Sequence, residues 1–127
     1  MARQLPAELQ SRRIHHNEEK TMIKVSVMYP NGPDARFDET YYRDRHMPMV
    51  KELMGGALHY YTVDRAVRGE AGANAAYIAM GHLFCDSVDA FQAAFGPHAD
   101  RIMADIPNYS NQKPVIQISE VLVERSA

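Results

Sequence analysis

Apolar and polar positions alternate over residues 23–29, with Ile23, Val25, Val27 and Tyr29 on one face and Lys24, Ser26 and Met28 on the other. Successive side chains of a strand point to opposite faces, so the segment predicts a strand with one oily face. Pro30-Asn31-Gly32-Pro33 supplies turn residues. Beyond it, Phe37, Tyr41, Met49, Val50 and Leu53 fit a helix capped by Asp34 and closed by Gly55-Gly56. Pro48 removes a backbone donor within it and crowds the carbonyl one turn earlier. The helix is therefore expected to kink or restart beside His46.

Residues 58–67 and 75–85 both read as strands, joined by the small-residue loop 68–74, which suits a hairpin with a mobile tip. Ser87 is placed to cap a helix over 88–95, with Phe91 and Phe95 one turn apart; Gly96-Pro97 interrupts it before 99–104 resumes. After the loop 105–114, the β-branched run 115–123 completes the order β-α-β-β-α-β. Two helices cover one face of a four-stranded antiparallel sheet, and the other face carries apolar groups such as Met28. A second copy of the same sheet is the economical cover, so a homodimer through the open sheet face is expected, with Tyr60, Tyr61 and Tyr77 near it.

Composition narrows the function classes. The 14 Lys and Arg against 16 Asp and Glu, without a basic run, give no footprint for a phosphate backbone, so nucleic acid is not an expected partner. Cys85 is the lone cysteine and reads as a small buried hydrophobe. It excludes an intramolecular disulfide and a cysteine-based zinc site, and fits a reducing compartment. Apolar runs are too short to cross a bilayer, and the cytoplasm is the expected location. Residues 1–21 mix charges without a sustained period and read as a flexible extension, with the domain over 22–127. Glu18, Glu19 and Lys20, encoded by purine-rich codons just before Met22, suggest Met22 as the true start; a native chain found to start at Ala2 overturns that.

Three separated pieces then resemble the EthD family in the right order. VSVMYP is followed by FDETYYRDRHMPMV, similar to a Phe-x-x-x-Tyr-Tyr-x-x-x-His-x-Pro signature, and DIPNYSNQKPVIQISE is similar to an Asp-x-Pro-x-Tyr loop and closing strand. The resemblance spans Met22 to Val123. It implies a ferredoxin-like α+β fold that pairs into a dimeric α+β barrel, an architecture shared with cofactor-independent monooxygenases, isomerases and cyclases acting on hydrophobic small molecules. It implies no one reaction; members are associated with ether degradation and with aromatic polyketide processing.

His46 is the first candidate for chemistry, since an imidazole exchanges a proton near neutral pH and the Pro48 kink could turn it toward a cavity. Against that stands a structural role, bracing backbone groups freed by the kink, and no carboxylate partner is visible nearby in sequence. Tyr41 and Tyr42 are about 100° apart on a helix; Tyr41, sharing a face with Phe37, is expected in the core, and Tyr42 nearer the surface or an interface. Asp105 and Tyr109 lie in the loop after the second helix, where Asp105 could accept from His46 or make a turn contact before Pro107. Tyr41, His46 and Asp105 are thus the candidate catalytic set, with Met28, Tyr42, His82 and Tyr109 as candidate ligand contacts. His46, His59 and His82 lack zinc-motif spacing, so no metal is expected, although one histidine could ligate haem as it does in other branches of this architecture. No Gly-x-Gly-x-x-Gly or P-loop occurs, so no nucleotide cofactor is expected. Two functions follow: a cofactor-independent proton-transfer enzyme for a hydrophobic, oxygen-bearing small molecule, or a non-catalytic ligand-binding or accessory dimer.

Overall fold

A computed structural model describes residues 21–125. It runs β1 (Met22–Pro30), α1 (39–54), β2 (Tyr60–Arg65), β3 (Tyr77–Cys85), α2 (88–104) and β4 (Val115–Val121). The expected extension over 1–21 lies, except for Thr21, outside the described residues. The four strands form an antiparallel sheet of order β2-β3-β1-β4, the ferredoxin-like α+β arrangement. β1 is central because both its edges are paired, with Val25 opposite Leu83 on one side and Ile118 on the other. Its alternation sends Ile23, Val25 and Tyr29 into the core beneath the helices, where they meet Met47, Val50 and Met54 of α1 and Ile102 of α2.

α1 begins later than Asp34. Arg36 N–H donates to Asn111 Oδ1 at 2.8 Å, Asn111 Nδ2 donates to the Asp34 carbonyl at 2.8 Å, and Phe37 forms a β-bridge to Ser110. These contacts hold 34–37 extended against the loop after α2, so Asp38 is the cap instead, its Oδ1 accepting from Tyr41 N–H at 3.1 Å. The helix then has three parts: Glu39–Tyr41, a π-helical turn at Tyr42–His46, and an α-helical part at Met47–Met54. Pro48 stands in the first turn of the last part, where a missing N–H is tolerated, so the expected restart beside His46 is present as a π turn. In α2, Ser87 Oγ accepts from Ala90 N–H at 3.0 Å, and a 3-10 turn at Gly96–His98 separates Val88–Phe95 from Ala99–Ala104.

The other face of the sheet carries Met28, Met80, Phe84, Tyr60 and His82 in register across β1, β3 and β2. Tyr61, expected near this face, points the other way and packs against the core, because it alternates with Tyr60 along β2. α2 also stops short of the sheet edge, leaving Ile116 and Ile118 of β4 exposed on the helix side. Among the described residues no helix is long and apolar enough to cross a membrane.

Candidate functional site

The π turn rotates two aromatic rings inward. Tyr42 and His46 stack with centroids 5.4 Å apart and planes at 14°, and both are buried. This reverses the expectation for the tyrosine pair: Tyr42 is the core residue, while Tyr41 is half-buried at the rim. Widening the turn is the physical cause, since it changes the angular position of every later side chain. Tyr42 packs across the sheet onto Gly81 of β3, where an added β-carbon would fall well inside van der Waals contact of the Tyr42 hydroxyl. Phe37, Tyr29 and Tyr109 close the cluster around these rings.

A continuous hydrogen-bond chain runs through the cluster. His46 Nδ1 lies 2.9 Å from Asp105 Oδ2, His46 Nε2 lies 3.3 Å from the Tyr109 hydroxyl, and that hydroxyl lies 2.5 Å from the hydroxyl of Tyr29. Asp105 is held from its other side, for Tyr41 Oη donates to Oδ1 at 2.7 Å and Asn108 Nδ2 donates to the same oxygen at 2.9 Å. The structure therefore brings together His46, Tyr41, Asp105 and Tyr109, and supplies the carboxylate partner that the sequence around His46 lacks. Asp105 takes this place because the last turn of α2 ends at Ala104 and the next 3-10 turn, Ile106–Asn108, folds the loop back over α1. Asp105 thus does more than cap a turn.

Burial decides the charge state. Desolvation pulls the His46 pKa below its ordinary 6.5, outweighing the opposing hydrogen bond and charge of Asp105. His46 is therefore neutral at pH 7, and its contact with Asp105 is a hydrogen bond to a carboxylate and not an ion pair. For Asp105, burial acts to raise the pKa, but the hydrogen bonds from His46, Asn108 and Tyr41 win and hold it below 3.8. Burial pushes the Tyr29 phenol up to about 12 and raises Tyr42 and Tyr109 further, so all three keep their protons at neutral pH. A neutral imidazole beside a carboxylate, linked to phenols, is equipped for proton transfer.

An enclosed apolar cavity of about 40 Å³ lies between helices and sheet, lined by Tyr29, Tyr42, His46, Phe95, Ile102 and Ile106 among others. That is about the room of one water molecule, or of the polar end of a larger ligand. Met103 and Ile116, both partly exposed, stand among its walls. A wider groove of about 420 Å³ lies between the β2–β3 loop and the start of α1, but its walls include none of His46, Asp105, Tyr29 or Tyr109. The chemistry belongs with the small cavity.

The remaining candidates lie elsewhere. Met28 and His82 are on the opposite face of the sheet from His46. There His82 Nδ1 is 2.8 Å from Ser26 Oγ, and Nε2 is 3.1 Å from Asp64 Oδ2. His59 pairs with Asp86 at 2.7 Å near the surface, so each of the three histidines weighed as metal ligands has its own aspartate. Among the described residues no group of three potential ligands converges on a metal position. Sequence reasoning missed Tyr29, Asn108 and Gly81. Tyr29 carries the inward phase of a strand like any core residue, Asn108 is an ordinary turn residue, and the need for Gly81 arises only from the ring across from it.

Comparison with known proteins gives a consistent picture. A family model described as EthD domain matches residues 31–113, more than half of the 127. An EthD-like protein from Ralstonia eutropha JMP134 is 54% identical, with a TM-score of 0.80 over 84% of this chain and 97% of its own. An ethyl tert-butyl ether D (EthD) family protein from Bacillus halodurans C-125 is 18% identical, with a TM-score of 0.58 over 80% and 99%. HapK from Hahella chejuensis is 18% identical, with a TM-score of 0.51 over 82% and 97%. At 18% identity the last two share the fold alone. No curated protein matches the chain. With its Tyr-Tyr-x-x-x-His-x-Pro helix and Asp-x-Pro-x-Tyr loop brought into one hydrogen-bonded cluster, the chain belongs to the EthD family.

Proposed function

We propose that this protein is a small cofactor-independent enzyme that moves a proton on a hydrophobic, oxygen-bearing small molecule held between the helices and the sheet. His46 is the proton store, Asp105 fixes its orientation, and Tyr41 holds Asp105. The observation that supports this most is the buried Asp105–His46–Tyr109 chain with a neutral imidazole at its centre. The printed name of the Bacillus relative, with ethyl tert-butyl ether in it, concerns that protein, but an ether is a molecule of the general class an apolar cavity of this kind suits. A homodimer through the open sheet face, in the cytoplasm, completes the proposal. Its support is the apolar strip of Met28, Met80 and Phe84 on that face.

The test is turnover of a panel of phenols, enolisable ketones and ethers by the purified protein, followed by mass spectrometry. For whichever compound is converted, His46→Gln is expected to lower the rate on the order of 10²-fold or more while the fold is kept. Full turnover by both His46→Gln and Asp105→Asn would sink the mechanism. A second reading, a non-catalytic ligand carrier or accessory protein, is favoured by the smallness of the cavity and by the occupation of both His46 nitrogens. On that reading His46→Ala lowers stability by about 1–3 kcal/mol through unsatisfied Asp105 and Tyr109, and no compound in the panel is converted.

A further inference from the structure

Both ring nitrogens of His46 are taken, one by Asp105 and one by Tyr109. Where His46 borders the cavity, it has no nitrogen free to offer a ligand. The hydrogen-bond chain has one further member that borders the cavity, and it is Tyr29; Tyr109 is fully buried and is not among the walls. The chain also has a direction. Asp105 is a carboxylate and can only accept, so His46 Nδ1 carries the imidazole proton and Nε2 is the bare, accepting nitrogen. The hydroxyl proton of Tyr109 is then committed to Nε2, and the short contact between the two phenols must be made by the proton of Tyr29. Every proton from Tyr29 onward points toward Asp105, leaving Tyr29 Oη with lone pairs and no proton to give.

We propose that Tyr29, and not His46, is the residue that meets the ligand, and that the fixed direction of the chain selects a ligand with an acidic hydroxyl of its own, a phenol or an enol. The inference rests on the proposed function and narrows its substrate class. The ligand's O–H proton passes to Tyr29 Oη as the proton of Tyr29 passes to Tyr109 and that of Tyr109 to His46 Nε2. One proton is moved in all: the ligand becomes an oxyanion, both tyrosines end neutral, and His46 ends as an imidazolium paired with Asp105. An ether or an isolated ketone has no proton to give and is not selected by this end of the chain. Tyr42 also borders the cavity, with its hydroxyl close enough to influence that of Tyr29, so the two tyrosines must be separated by experiment.

The experiment titrates the full-length protein with 4-nitrophenol, whose neutral and ionised forms absorb at different wavelengths, at a pH where the free dye is mostly neutral. 4-Nitroanisole, the same ring without the proton, is the control. The expected result is saturable binding with the phenolate band appearing, binding of the anisole weaker by about tenfold or more, and loss of ionisation in Tyr29→Phe but not in Tyr42→Phe. Dye bound in its neutral form, anisole bound as tightly, or ionisation lost in Tyr42→Phe instead would each overturn the inference. ¹⁵N NMR of the wild-type His46 ring covers the case in which Tyr29→Phe does not fold: the expected tautomer is Nδ1–H, and the Nε2–H tautomer reverses the chain and sinks the inference. If neither probe binds and the His46 resonances do not move, the cavity is no ligand site, and the proposed function fails along with the inference. If only the hydroxyl requirement fails, the proposed function stands without it.

Discussion

Two histidine–aspartate pairs face each other across the thickness of the same sheet. His46 and Asp105 lie 2.9 Å apart with side chains 5% and 16% exposed, whereas His82 and Asp64 lie 3.1 Å apart with Asp64 55% exposed. The chemical groups are the same and the distances nearly so. On the helix side, the aromatic cluster of Tyr29, Phe37, Tyr42 and Tyr109 removes water from the imidazole, and desolvation overrides the attraction of the carboxylate. On the open side, Asp64 keeps much of its hydration, and a solvated pair of this kind contributes little. A contact distance therefore does not say what a pair does; the surrounding medium does.

Neighbouring residues on β3 give the sharpest way to break this comparison. Gly81 points to the helix side under Tyr42, and His82 points to the open side. Gly81→Ala is expected to cost about 3 kcal/mol, because Tyr42, boxed in by the aromatic cluster, must shift to admit a methyl group; urea denaturation measures it. A cost near zero would mean that the cluster is loosely packed. Asp105→Asn is expected to cost about 2 kcal/mol in the same assay, since it removes the charged acceptor for His46, Tyr41 and Asn108. It also removes what holds the His46 pKa up, so NMR titration should find His46 neutral to still lower pH.

The pH dependence is a smaller effect with a definite sign. The folded His46 pKa lies below the unfolded 6.5, so between those values the unfolded chain binds more protons than the folded one. The stability contributed by neutral His46 is complete above pH 6.5 and is lost as pH falls from there through the folded value. Asp105 adds a loss of the same sign below its ordinary 3.8. Denaturation midpoints across the acid range should fall accordingly, and His46→Gln should flatten the upper part of that fall. Smallest of all is His82→Ala, at about 1 kcal/mol or less, since its aspartate is solvated. A markedly larger cost, together with a change in oligomeric state by sedimentation, would show that the open face is covered in solution, as the proposed dimer requires.

Much of the fold was legible along the chain. The alternation of β1, the Ser87 cap and the interruption at Gly96-Pro97 all rest on residues within a turn of one another, and each stands where the pattern puts it. Pro48 likewise announced the restart of α1. The candidate site was legible as a set of residue types but not as an arrangement. Tyr41 and Tyr42 exchanged their expected places because a π turn, invisible in a pattern of period 3.6, shifts the phase between them and the rest of the helix. Asp34 lost the cap to Asp38 because the loop after α2 pairs with 34–37.

The sequence by itself determined the order of strands and helices, their caps and breaks, and the residues from which a proton-transfer site could be made, since these depend on interactions between near neighbours. Only the tertiary structure decided that Asp105 reaches His46 across 59 residues, that Tyr29 and Tyr109 extend the chain, and that the imidazole is neutral. Hydrogen-bond partners so distant in sequence are chosen by packing, and a proton's free energy is set by the water that packing excludes.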